Sequence, residues 1–194
     1  MLNDEPGAGA PSPTEHDSAS DALIAALVEI EHHVGRQGWD QPARLFALVR
    51  TDELVAAEPS LADHLTVTAP DALSSIEQED FREGDDLQTT LERIQWSSAV
   101  AGCALSVERS FLPSGDEAGL PDDPDEAATA VANHPHRQDL RVVVGVLRDG
   151  TSHGVGRVRT HPDDLVGGPD LAPGLARILA GTLLIDHRGA GHRP

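Results

Sequence analysis

The sequence predicts an α+β fold: a mostly antiparallel four- to five-stranded sheet with helices packed on it. Three observations lead there. An Asp149-Gly150 pair separates two valine-rich runs, the signature of a β-hairpin. Two further runs, 44–49 and 99–112, are rich in β-forming residues and bounded by turn signals. Helical patterns lie between these runs, but without the regular strand–helix–strand repeat of a parallel sheet.

The hairpin covers Asp139 to Thr160. Its first strand is apolar on both sides and reads as central, whereas the more polar second strand belongs nearer an edge. A two-residue turn pairs Arg148 with Thr151, which sets Val142 opposite Arg157 and Leu140 opposite Arg159. In that register Gly145, Gly154 and Gly156 share one face and form a shallow floor for a closely packed helix or for a ligand.

The other elements follow in order. Residues 1–20 are small or acidic and lack periodicity, which predicts a disordered tail. Asp21 can cap a helix to about Gly35, with Leu23, Ile24, Leu27, Val28 and Val34 mostly on one face. Gly35 to Gly38 breaks it, and Trp39 leads into the strand Arg44–Val49. Thr51 or Asp52 opens a short helix to Ala57, and Ser60–His64 forms another helical turn. From 66 to 83 the chain is acidic and weakly patterned, with a short strand expected at 66–68 and Glu77, Glu79 and Asp80 solvated. Asp85 and Asp86 start a helix through about Gln95.

The strand 99–112 places Cys103 on the side of Leu105, Val107 and Phe111, where a buried, inert thiol is expected. A Pro/Gly/Asp loop, Pro113–Pro124, precedes an alanine-rich helix, Asp125–Asn133, that ends at His134-Pro135. After the hairpin, Gly167-Gly168 is a break before the last helix, Leu171–Ile185. Its Ala172, Ala176, Ala180 and Gly181 suit close packing on the glycine floor. Residues 188–194 predict a second disordered tail, leaving 21–187 as a single domain.

Composition excludes several classes of function. The net charge of −19 argues against nucleic-acid binding and against acidic membrane surfaces. Aromatic residues are 3% of the chain, so the core must be built from Leu, Val, Ile and Ala. All 14 Lys-plus-Arg positions are arginine, which reads as base-composition bias before it reads as chemistry. A single cysteine excludes an internal disulfide and a cysteine-based zinc site. No stretch has the length and apolarity of a membrane span, and the acidic start does not look like a secretion signal, so a cytoplasmic location is expected.

No hydrolase, metalloprotease, phosphate-loop or dinucleotide motif occurs. Glu29-Ile30-Glu31-His32 is half of a di-iron motif, and no second half is present. His134, His136, His153 and His161 are near one another in sequence, but spacing alone does not build a zinc site. No cofactor, metal or catalytic residue is therefore assigned. Arg137, Arg141, Arg148, Arg157 and Arg159 crowd the hairpin against only Asp139 and Asp149. Pairing with acidic loops is the ordinary explanation; a seat for a carboxylate, a phosphate or an acidic partner segment is the functional one.

Gly38-Trp-Asp-Gln-Pro42, Arg44-Leu-Phe-Ala-Leu-Val49, Val100-Ala-Gly-Cys-Ala104, Val143-Val-Gly-Val-Leu-Arg-Asp-Gly150 and Gly168-Pro-Asp-Leu-Ala-Pro-Gly174 together resemble a family of uncharacterised actinobacterial proteins over about residues 21–185. That resemblance implies no activity, cofactor or site residue. The element order is also similar, more weakly, to secretion-chaperone-like proteins, which implies binding of another polypeptide, with a homodimer as one form of association. The expectation is thus a non-enzymatic, chaperone-like or regulatory binding module with a protein partner. Trp39 and Arg44 are its first candidate binding residues, and Arg157 and Arg159 the second pair. The rival is a small-molecule- or metal-dependent enzyme, which requires His134, His136, His153 and the hairpin arginines to converge.

Overall fold

A computed structural model describes residues 13–65, 69, 71–84, 86–112, 115–116 and 119–184. Its centre is one antiparallel sheet of six strands: β1 (Arg44–Arg50), β2 (Leu73–Glu77), β3 (Gly102–Phe111), β4 (Gln138–Leu147), β5 (Ser152–Val158) and β6 (Leu165–Gly168). Their order across the sheet is β2-β1-β3-β4-β5-β6. The α+β class is as expected. The strand count exceeds the expected four to five because β2 and β6 give weak signals. β2 is Leu-Ser-Ser-Ile-Glu inside the acidic stretch, and β6 is Leu-Val-Gly-Gly, where paired glycines read as a break. Both are edge strands, in which pairing to one neighbour suffices without an apolar alternation.

The helices are α1 (Pro13–Gly35), α2 (Thr51–Ala57), α3 (Leu87–Leu91), α4 (Pro124–Asn133) and α5 (Pro173–Leu183), with a 3-10 turn at Pro59–Asp63. α1 begins before Asp21, so residues 13–20, expected in the tail, are its first turns. Ser18 Oγ donates to Asp71 Oδ2 at 2.6 Å and ties this polar start to the loop before β2. α3 stops earlier than expected, at Leu91, although Ile94 still packs against the core. Asp86 caps α3 by accepting from Gln88 N at 3.3 Å and Thr89 N at 3.0 Å. Asp123 caps α4 in the same way, through Asp125 N and Glu126 N. The strand expected at 66–68 and the tails 1–12 and 188–194 lie outside the described residues.

The hairpin turn is one residue longer than expected. Leu147 N donates to Thr151 O at 2.8 Å and Gly150 N to Leu147 O at 3.0 Å, which makes Arg148-Asp149-Gly150 a three-residue loop. Gly150 takes φ +91°, the left-handed position such a loop requires, and Asp149 Oδ1 accepts from Thr151 N at 2.8 Å. One residue of slip flips every β5 side chain to the other face. Arg157 therefore lies opposite Arg141, not Val142. The glycine floor also divides. A Cβ on Gly145 would meet Leu27 and Leu23 of α1, whereas Gly154 and Gly156 face Leu171 on the opposite side. Leu171, just ahead of α5, covers those two glycines in place of the small residues of α5.

Each face of the sheet carries its own apolar layer. On one, Leu23, Leu27, Ile30 and Val34 of α1 cover Phe46, Leu48, Ala104, Val143 and Val155. On the other, Leu179 and Leu183 of α5, with Leu91 and Trp96, cover Leu45, Cys103, Leu105, Val142, Val144 and Val146. Trp96 Nε1 donates to Thr182 Oγ1 at 2.9 Å, so the indole is buried with its one polar atom satisfied.

Candidate functional site

The corrected register builds a row of charged residues across the α1 face. Glu108 on β3 is opposite Arg141 on β4, and Arg141 is opposite Arg157 on β5. Glu31 comes down from the last turns of α1. It sits on the apolar stripe at helical spacing from Leu23 and Leu27, which forces its carboxylate into the core. Arg157 grips it with both arms, Nε to Oε1 at 2.8 Å and Nη2 to Oε2 at 2.9 Å. Arg141 Nη1 stands 3.6 Å from Glu31 Oε1, and its Nη2 donates to Glu108 Oε1 at 3.0 Å. The Glu31 and Arg141 side chains are only 1% and 2% exposed. Two cations, Arg141 buried and Arg157 partly so, against two carboxylates keep the row near neutral, the condition under which buried charge is tolerated.

The loop after α1 is fastened to this row. Glu108 Oε2 accepts from Asp40 N at 2.7 Å and Gln41 N at 3.2 Å, and Arg141 also donates to the Gly38 carbonyl. Gly38 and Asp40 adopt φ +88° and +64°, a tight reversal that carries Trp39 over the guanidinium of Arg141, 4.4 Å from the ring centroid. Arg159 approaches the same ring at 5.6 Å and pairs with Asp40 at 3.3 Å and Asp139 at 3.4 Å. The hydrogen bond to Glu31 holds Arg157 above its ordinary pKa, and the bond to Asp40 does the same for Arg159.

Of the four expected binding residues, Trp39, Arg157 and Arg159 thus meet at one corner of the sheet. Arg44 is on the same face but belongs to a separate pair. It donates to Glu77 at 2.6 and 2.7 Å, and this bidentate bond holds the Glu77 carboxyl below its usual range. Arg141, one of the crowded hairpin arginines, joins the corner, and so do Glu31 and Glu108, which no sequence motif marks as site members. Glu31 carried a legible signal, since a carboxylate on an apolar stripe needs a buried cation.

The charged groups of the corner are paired with one another. Its guanidiniums already hold carboxylates, so acidic pairing accounts for the arginine crowding. Arg148 of the same crowd donates instead to the carbonyls of Val100, Leu183 and Ser97. Cys103 is fully buried and its thiol is pushed up to about 12, which removes it as a nucleophile. Of the histidines of the rival reading, His134 and His136 adjoin each other and His153 lies apart from them. His136 lies just before β4, whereas His153 faces Gly145, seven ladder positions past Gln138 and roughly 23 Å along the strand. Glu29 and His32, the half-motif on α1, are both exposed.

Among the described residues, the same row ends at an unpaired sheet edge. Arg157 pairs with Leu165 of β6, and among the described residues no strand lies on β6's far side. Leu165 and Val166 are 36% and 44% exposed.

Residues 23–184 match the PPA1309-like protein family, and so cover the whole sheet and the corner around Trp39. The chain belongs to the PPA1309-like family. Membership carries no activity with it. No curated protein and no solved structure matches the chain, so the likeness to secretion chaperones rests on element order alone. Among the described residues no helix is long and apolar enough to cross a membrane.

Proposed function

We propose that this PPA1309-like chain is a non-enzymatic, cytoplasmic protein-binding module, regulatory or chaperone-like, that takes an extended segment of a partner as an added strand on β6. The open edge of β6, with Leu165 and Val166 exposed, carries the reading. Natural edge strands are usually blunted by a charge, a proline or a bulge, and Leu-Val-Gly-Gly contains no charge or proline. Such an edge offers main-chain hydrogen bonds to an incoming strand. Asp163 and Asp164 precede it and Asp170 follows, in a chain of net charge −19, so the favoured segment is apolar at its centre and basic at its ends. Trp39 and Arg159 extend the surface at the same corner, Arg157 holds the corner together, and Arg44 supports the β1–β2 side.

The test is capture from a lysate of the source cells with wild type, Trp39→Ala, Arg159→Ala and Val166→Glu, each first shown to unfold at the wild-type temperature. One defined partner held by wild type, weakened by Trp39→Ala and lost from Val166→Glu, is expected. Equal retention by all four proteins would overturn the β6 assignment. Unfolding of Trp39→Ala would return that residue to a purely structural role.

A further inference from the structure

A second site lies at the end of β4 away from His153. α4 ends at Asn133, and His134 N donates to Val131 O at 3.1 Å. Arg137 N then donates to His134 O at 3.1 Å and closes a turn around Pro135. Two imidazoles project from this one turn, their ring centroids 5.4 Å apart and their planes at 71°. Asp116, from the loop after β3, reaches them, with Oδ2 2.9 Å from His136 Nδ1. One ligand atom from each of Asp116, His134 and His136 lies within 4.8 Å of the other two.

We propose that Asp116, His134 and His136 form a binding site for a zinc-class divalent transition-metal ion. Metal–ligand bonds of about 2.0–2.1 Å in a tetrahedral site set the donor atoms about 3.3 Å apart. The 2.9 Å contact is already near that spacing, and small side-chain rotations bring in the third donor. Two imidazoles and a carboxylate suit zinc and its first-row neighbours; calcium and magnesium prefer oxygen donors throughout. The surroundings favour a cation. The carbonyl end of α4 lies at His134, and Arg137, next in the chain after His136, is neutralised by Asp139 at 3.1 Å. Two local hydrogen bonds oppose binding: the 2.9 Å Asp116–His136 contact gives way when both atoms ligate, and a backbone bond is lost at His134. His134 Nδ1 accepts from His136 N at 3.2 Å, and ligation through either ring nitrogen surrenders it, because metal at Nε2 moves the proton to Nδ1. A long, neutral hydrogen bond is weak against a metal–nitrogen bond. His136 is exposed, so a fourth position stays open to water, and the bound ion joins Asp116 to the α4–β4 turn.

The untagged full chain, stripped with chelator, is titrated calorimetrically with zinc and spectroscopically with cobalt. One zinc per chain is expected, together with the strong visible bands of tetrahedral cobalt. His134→Ala, His136→Ala and Asp116→Asn should each weaken zinc at least about tenfold, while the control His32→Ala/His33→Ala leaves it unchanged. Absence of zinc binding by the wild type would overturn the site. So would full affinity in His136→Ala, because the ion would then sit elsewhere. Circular dichroism of each variant separates lost ligation from lost folding.

Discussion

Arg157 lies directly opposite Arg141 in the β4–β5 ladder, and the two guanidiniums share one carboxylate, Glu31. Like charges facing each other across a ladder are ordinarily destabilising. Here α1 supplies the counter-charge from above and Glu108 supplies a second from the neighbouring strand. The helix and three strands are therefore fastened at one point.

Removing the shared charge should be costly. Glu31→Gln keeps the shape and leaves two arginines with one carboxylate. Breaking a buried pair in this way costs about 3–5 kcal/mol. Urea unfolding measures it, and a loss below about 1 kcal/mol would mean that water reaches the row. In a double-mutant cycle with Arg157→Met, a coupling of about 1–3 kcal/mol is expected.

Two sheet glycines should respond differently to alanine. At Gly102 a Cβ would overlap the carbonyl oxygen of Val146, a backbone atom that cannot swing away. At Gly145 it would meet Leu27 Cδ2 at 2.7 Å and Leu23 Cδ1 at 2.9 Å, the ends of side chains that can rotate. Gly145→Ala should cost about 1–3 kcal/mol, and Gly102→Ala more. Equal thermal shifts would show that the β3–β4 ladder yields at Gly102.

Acid should destabilise the protein in two stages. Burial holds His153 below its ordinary value of 6.5, and Arg44 holds Glu77 below 4.5. In both cases the unfolded chain takes up the proton at higher pH than the folded one. The stability is therefore complete above the ordinary value and is lost as pH falls through the lower, folded one. Urea midpoints from pH 7.5 to 3.5 should fall first below about 6.5 and again below about 4.5. His153→Gln should reduce the upper fall and Glu77→Gln the lower, to which Asp71, Asp86 and Asp139, also held low, contribute. An unchanged profile in His153→Gln would assign the upper fall to another histidine.

Cys103 should resist thiol reagents in the native state. It is fully buried, and its thiol is pushed up to about 12. An aromatic disulfide reagent at pH 8 should label it only when the chain opens, at a rate that rises with urea in step with unfolding. Rapid stoichiometric labelling of the folded protein would contradict the packing of β3 against α5.

Features set within a few residues were legible from the chain before it folded. The apolar stripe of α1, the Asp86 cap of α3, the valine run of β4 and the turn at Asp149-Gly150 follow from local periodicity and turn chemistry. So did the inert place of Cys103, because alternation along β3 put it among core residues. What needs distant parts of the chain was decided only by tertiary structure. The turn could close over two residues or three, and packing against α1 and Leu171 selected three, which brought Arg157 round to Arg141. β2 and β6 exist because β1 and β5 offer them an edge, with little local preference of their own. Glu31 with Arg157, and Asp116 with His136, are pairings across 126 and 20 residues. Such meetings depend on the register and on helix placement. A pattern with a period of a few residues carries no record of them, because contact energy is gained only once the whole sheet has closed around it.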